Sequence, residues 1–107
     1  MAYIHVPRRK HMKDEITEYP TDGILDLHTF HPRDAADVTR EYLRACHGEG
    51  IYHVRIIHGK GTGALRATVH AVLANSPFVD FWKTATDSSS WGATLVELKP
   101  RIDSGRA

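Results

Sequence analysis

The chain has 107 residues and a mass of 12.0 kDa, room for one domain with a modest core and little space for a second. Lys and Arg number 14 against 13 Asp and Glu, so net charge by itself announces no polyanion partner, although eight histidines can add positive charge beside a bound anion. The single Cys46 excludes an intramolecular disulfide, and no run of about 18 apolar residues or secretory signal is present; we expect a soluble, cytoplasmic protein with no membrane contact.

Residues 1–22 show no sustained period and carry the basic run Arg8-Arg9-Lys10-His11-Met12-Lys13, which reads as a solvated arm, with extra phosphate contacts as the functional alternative. Ile24-Leu25-Asp26-Leu27-His28 alternates apolar and polar residues, which predicts a strand with Leu25 and Leu27 facing the core and Asp26 and His28 sharing the other face. Pro32 suits the first turn of a helix, with His31 at its N-cap and Asp34 near its positive end. Ala35, Val38, Thr39, Tyr42, Leu43 and Cys46 then repeat as one buried stripe, and Gly48 and Gly50 end the helix.

The β-branched and aromatic segment from Tyr52 to His58 predicts a second strand. After a glycine loop, Leu65, Val69, Val72 and Leu73 mark a second helix that stops at Asn75-Ser76-Pro77. Phe78–Thr84 and Thr94–Leu98 read as the last two strands, a hairpin around the polar loop Asp87–Ser90. The order β-α-β-α-β-β predicts an α/β two-layer sandwich with a four-stranded mixed sheet, parallel in its first strands. The folded unit is expected over residues 23–100, with a polar tail at 101–107.

Ligands of open α/β sheets bind beyond the carboxyl ends of the parallel strands, and two polar stretches fall there. One is Asp26-Leu27-His28; the other is His58-Gly59-Lys60-Gly61-Thr62-Gly63. The glycines permit positive φ and close approach of a bulky ligand, the next helix offers unpaired N–H groups, Lys60 adds a charge and Thr62 a hydroxyl. The loop therefore reads either as a phosphate seat or as a tight strand-to-helix turn; its spacing is not that of a P-loop. Asp26, His28 and His58 together suit general acid–base work near neutral pH, or a divalent metal held through Asp26 and His28. With one cysteine in the chain the set matches no structural zinc pattern. His5, His11, His47, His53 and His70, and Trp82 and Trp91, read as surface or packing residues.

Leu25-Asp26-Leu27-His28, His58-Gly59-Lys60-Gly61-Thr62-Gly63-Ala64-Leu65 and Gly92-Ala93-Thr94-Leu95-Val96-Glu97-Leu98 resemble, in order and spacing, the three signatures of the Smr (small MutS-related) domain, from about Ile24 to Lys99. The resemblance implies a fold similar to the C-terminal domain of translation initiation factor three. It also implies nuclease activity: nicking of branched or double-stranded DNA, or endonucleolytic cleavage of RNA, in some members during ribosome rescue. Carried onto this chain, it implies Asp26, His28 and His58 as catalytic residues and Thr29, Gly59, Lys60, Gly61, Thr62 and Gly63 as substrate-binding residues. The chain departs from the family at Thr29, where the family has glycine, and at Ser89-Ser90-Trp91-Gly92, where it tends to pair glycines. Two imidazoles would share the proton transfers on RNA, whereas DNA would call for water and a metal such as Mg2+ or Mn2+. The expected partners are nucleic acid and, in some settings, the ribosome, with the protein a monomer or weak dimer. A non-catalytic nucleic-acid-binding module helped by Arg33, Arg40 and Arg44, or an interaction domain whose loop binds nothing, are the competing readings.

Overall fold

The computed structural model describes residues 3–7, 16–59, 61–85 and 92–101. Its elements in chain order are β1 (Tyr3–Pro7), β2 (Ile16–Pro20), β3 (Ile24–Asp26), 3-10 turns at Leu27–Thr29 and Pro32–Asp34, α1 (Ala35–Gly48), β4 (His53–Ile57), α2 (Ala64–Ala74), β5 (Val79–Thr84) and β6 (Ala93–Leu98). The main sheet runs β3-β4-β6-β5, with β3 parallel to β4 and the other neighbours antiparallel. The mixed sheet, the parallel first pair and the closing hairpin are those expected from the sequence. The second crossover spans one strand more than the first, because β6 returns between β4 and β5.

The whole predicted stripe of α1, from Ala35 to Cys46, is buried, and Val69, Val72 and Leu73 of α2 join it. Leu25, Val54, Ile56, Val96 and Leu98 meet them from the sheet in a single core. Burial pushes the Cys46 thiol up to about 11, which keeps it protonated and unreactive. No helix among the described residues is long and apolar enough to cross a membrane.

Two findings differ from the sequence expectation. Residues 3–7 and 16–20, inside the segment read as an arm, pair as an antiparallel ribbon whose Ile4, Val6 and Tyr19 are buried in the common core. The basic run Arg8–Lys13 lies outside the described residues, as do Lys60, the Asp87–Ser90 loop and Trp91. The first strand of the main sheet also stops at Asp26 rather than His28, since the Asp26 carboxylate accepts the backbone N–H of His28 at 2.9 Å and bends the chain into a 3-10 turn.

The edge of β3 away from β4 is closed by side chains. Ile24 N–H donates to the Asp22 carboxylate, and Ile24 C=O accepts from the hydroxyls of Tyr19 and Tyr42. Asp26 N–H donates to the Tyr19 hydroxyl at 2.9 Å, and Asp26 C=O accepts from the Thr29 hydroxyl at 3.3 Å. Thr39 is the opposite case: its fully buried hydroxyl oxygen has no partner among the described residues. Unpaired buried polar atoms are destabilising. Thr39→Val should therefore raise stability by about 1 kcal/mol in urea titrations, whereas Leu43→Ala, in the same helix, should lower it by about 2–5 kcal/mol. A loss on Thr39→Val would show that the hydroxyl is satisfied.

Candidate functional site

The 3-10 turn after β3 presents His28 to solvent, its side chain 60% exposed, while a single oxygen of Asp26 accepts both the His28 backbone N–H and ring Nδ1–H, the latter at 3.1 Å. A carboxylate can only accept, so Nδ1 carries the proton and Nε2 of the neutral ring keeps its lone pair. Nε2 lies against the glycine loop: a Cβ built on Gly59 would stand 2.7 Å from it. Gly59 has φ 81°, which side chains rarely adopt, so both conformation and contact require glycine. The structure thus joins two of the sequence-predicted stretches at one contact.

His58 occupies a different environment. It is 4% exposed, with Nδ1 at 3.0 Å from the Gly59 carbonyl and Nε2 at 2.9 Å from the Thr94 hydroxyl. The carbonyl fixes the proton on Nδ1, so Thr94 donates to Nε2, and its oxygen accepts in turn from Nε2–H of His70 at 3.2 Å. Burial holds the His58 imidazole below the usual histidine range, partly opposed by its bond to the Gly59 carbonyl and helped by the nearby Arg66 charge. Burial lowers His70 as well, with the same kind of help from His58 and Arg66. At the end of β4 both His58 N–H and Gly59 N–H donate to the Gly92 carbonyl, at 3.0 and 2.9 Å, which pins the loop to the start of β6.

The rest of the loop leads into α2. Gly63 caps the helix with φ 90°, and the Thr62 hydroxyl accepts Ala64 N–H at 3.3 Å. Together with Pro32, Gly59, Gly61, Leu65 and Arg66 these residues bound a hollow of about 310 Å³. The Thr29 hydroxyl is turned back onto Asp26 C=O, and among the described residues no group of three or more His, Cys, Asp or Glu is placed to hold a metal ion. Asp26 and His28 bond to each other through Nδ1–H, so in this arrangement Asp26 orients the ring and Nε2 is the nitrogen left to meet a proton or a cation. A larger hollow of about 870 Å³ between β1, α1 and α2 shares no wall residue with Asp26, His28 or the glycine loop. On α1, Arg40 and Arg44 are ion-paired with Asp37 and Glu41.

Arg66, Thr94 and His70 are the site residues that the sequence reading missed. Thr94 had a usable signal, a hydroxyl at an inward-facing position of a strand, aligned with Val96 and Leu98. Removing it in Thr94→Val leaves two imidazole nitrogens without their partner and should destabilise the fold by about 1–3 kcal/mol, with Thr94→Ser recovering most of the loss. The pH dependence has a definite sign. With His58 lowered in the folded chain, the unfolded chain binds the proton first as pH falls below 6.5, so this stabilisation is present above that value and lost below it. Urea midpoints should drop on acidification through that range, and less steeply in His58→Asn; an equal slope would contradict the buried neutral ring.

Comparison with known proteins agrees with the fold. A family model described as the Smr domain matches residues 25–99. The Endonuclease MutS2 of Thermomicrobium roseum is 37% identical over 76 residues, covering 70% of this chain and 10% of that protein. That of Ruminiclostridium cellulolyticum is 35% identical over 100 residues, covering 92% and 12%. The chain spans about a tenth of the length of these curated relatives. Among solved structures, the Smr domain of Thermus thermophilus MutS2 superposes with a TM-score of 0.68 at 29% identity, over 72% of this chain and 98% of that one. YdaL, a stand-alone small MutS-related protein from Escherichia coli, gives 0.68 at 25% identity, over 76% and 67%. The chain belongs to the Smr domain family.

Proposed function

We propose that the chain is a nucleic-acid endonuclease that cleaves RNA through the substrate's own 2′-hydroxyl, with His28 as general base. The observation that carries this reading is the exposed imidazole of His28, its tautomer set by Asp26 and its Nε2 held against Gly59 at the mouth of the loop. His28 takes the 2′-hydroxyl proton, the freed oxygen bonds to phosphorus, and the bond from phosphorus to the 5′ oxygen breaks. That oxygen takes a proton from water, leaving a 2′,3′-cyclic phosphate and a 5′-hydroxyl. Asp26 stabilises the imidazolium as it forms. Arg66 and the first turn of α2 line the hollow where the phosphate would sit, and Lys60 is the further cation expected from the sequence.

His58 is a positioning residue in this scheme. Its two nitrogens are engaged by Gly59 and Thr94, so the two-imidazole mechanism expected from the sequence reduces to one exposed imidazole. RNA is the substrate of this proposal because its own 2′-hydroxyl lets one exposed imidazole start the reaction, whereas attack on DNA needs an added water and a metal. The names of the MutS2 relatives support nuclease chemistry in general. The same engagement of His58 favours one alternative, a nucleic-acid-binding module without turnover, in which the loop and Arg66 only hold phosphate.

The test is incubation of labelled RNA and branched DNA with the protein in magnesium, manganese or EDTA. RNA cleavage should survive EDTA, and His28→Ala should lower it at least about 100-fold while Asp26→Asn lowers it about 10- to 100-fold. Gly59→Ala, which drives a methyl into the His28 ring, should impair cleavage nearly as much as His28→Ala, whereas Gly61→Ala, with open space around it, should have little effect. Cleavage that depends on metal would sink the RNA mechanism. Salt-dependent binding without cleavage would establish the binding module.

A further inference from the structure

The N-terminal ribbon lies before residues 25–99, the part matched by the Smr model, yet one of its side chains reaches the candidate dyad. Tyr19 is buried, and it touches both ends of the turn that carries His28. At the front end its hydroxyl accepts Asp26 N–H at 2.9 Å and donates to Ile24 C=O at 3.4 Å. At the back end its ring packs on Phe30, centroids 5.6 Å apart, and Phe30 N–H closes the turn by donating to Leu27 C=O at 3.1 Å. The Tyr19 ring also meets Tyr42 edge-on at 5.8 Å, which ties the clamp to α1.

We infer that Tyr19 is a positioning residue for the Asp26–His28 pair, so that the ribbon, which precedes the residues matched by the family model, is a working part of the site. The reasoning is geometric. β3 is a three-residue edge strand, and its last residue, Asp26, supplies the oxygen that fixes the His28 ring. An edge residue free to fray would let that carboxylate rotate, and the Nδ1–H tautomer would lose its reason to dominate. Tyr19 holds the amide of that residue, while the Tyr42 hydroxyl bonds Ile24 and the preceding turn and, among the described residues, no group of Asp26. The two hydroxyls therefore separate the positioning role from ordinary stabilisation.

This inference deepens the endonuclease reading, and its main readout is independent of activity. Long-range proton–nitrogen correlation spectra of the His28 ring report which nitrogen carries the proton. Wild-type protein should show the Nδ1–H form; Tyr19→Phe, which keeps the packing on Phe30 and Tyr42, should shift population toward Nε2–H. Phe30→Leu, which loosens the other end of the clamp and leaves the hydroxyl, should shift it the same way. Tyr42→Phe should lower the unfolding midpoint and leave the His28 signals in place. In RNA cleavage, Tyr19→Phe should lower kcat about 10- to 100-fold with KM nearly unchanged, because a misplaced base affects the transition state and not binding. If the His28 spectrum of Tyr19→Phe matches wild type while its midpoint falls, Tyr19 is merely structural and the inference is overturned. Absence of cleavage in wild type would refute the endonuclease reading alone, and the spectra would still decide the role of Tyr19.

Discussion

The site depends on a short edge strand whose outer backbone groups are all occupied. β3 has three residues, and on the side away from β4 its amides and carbonyls are bonded to Asp22, Tyr19, Tyr42 and Thr29. An unprotected edge of that length would fray and would also invite pairing with another chain. Closed in this way, it ends at a fixed point, and the Asp26 carboxylate can turn the chain into the 3-10 turn that presents His28. Distance from the core does not leave the turn loose, since Leu27 and Phe30 are buried on either side of the exposed imidazole.

From that fixed point the chemistry follows in short steps. Asp26 sets the tautomer of His28, His28 rests on Gly59, and Gly59 is held in a left-handed conformation by the Gly92 carbonyl and the His58 ring. The chain from half-buried His70 through buried Thr94 to buried His58 gives the loop a floor that stays neutral at physiological pH. In the proposed scheme one histidine is exposed for proton transfer and the other is kept dry to shape the backbone, a division of labour set by burial.

Much of this was legible in the sequence. The α1 stripe, the two crossovers and the closing hairpin follow from periodicity, and the meeting of Asp26-Leu27-His28 with the glycine loop follows from parallel β3 and β4. What escaped the reading has physical reasons. The ribbon strands are short, bounded by prolines and separated by a basic run, so two inward residues such as Ile4 and Val6 make no period. The turn at His28 escaped because a side-chain acceptor at Asp26 competes with the strand ladder, an effect alternation does not register. His70 and Thr94 are 24 residues apart and meet only when α2 lies on the sheet, and Tyr19 finds Asp26 through an edge that no local pattern reveals.

The central claim, that His28 activates a hydroxyl belonging to the substrate, is tested most directly by a single 2′-deoxy substitution at the cleaved position of an RNA substrate. The account expects that one missing oxygen to abolish cleavage at that bond, and the unmodified strand to yield a 2′,3′-cyclic phosphate and a 5′-hydroxyl. Cleavage of the 2′-deoxy strand at an undiminished rate, with a linear phosphate in the product, would mean that water is the nucleophile and would contradict it.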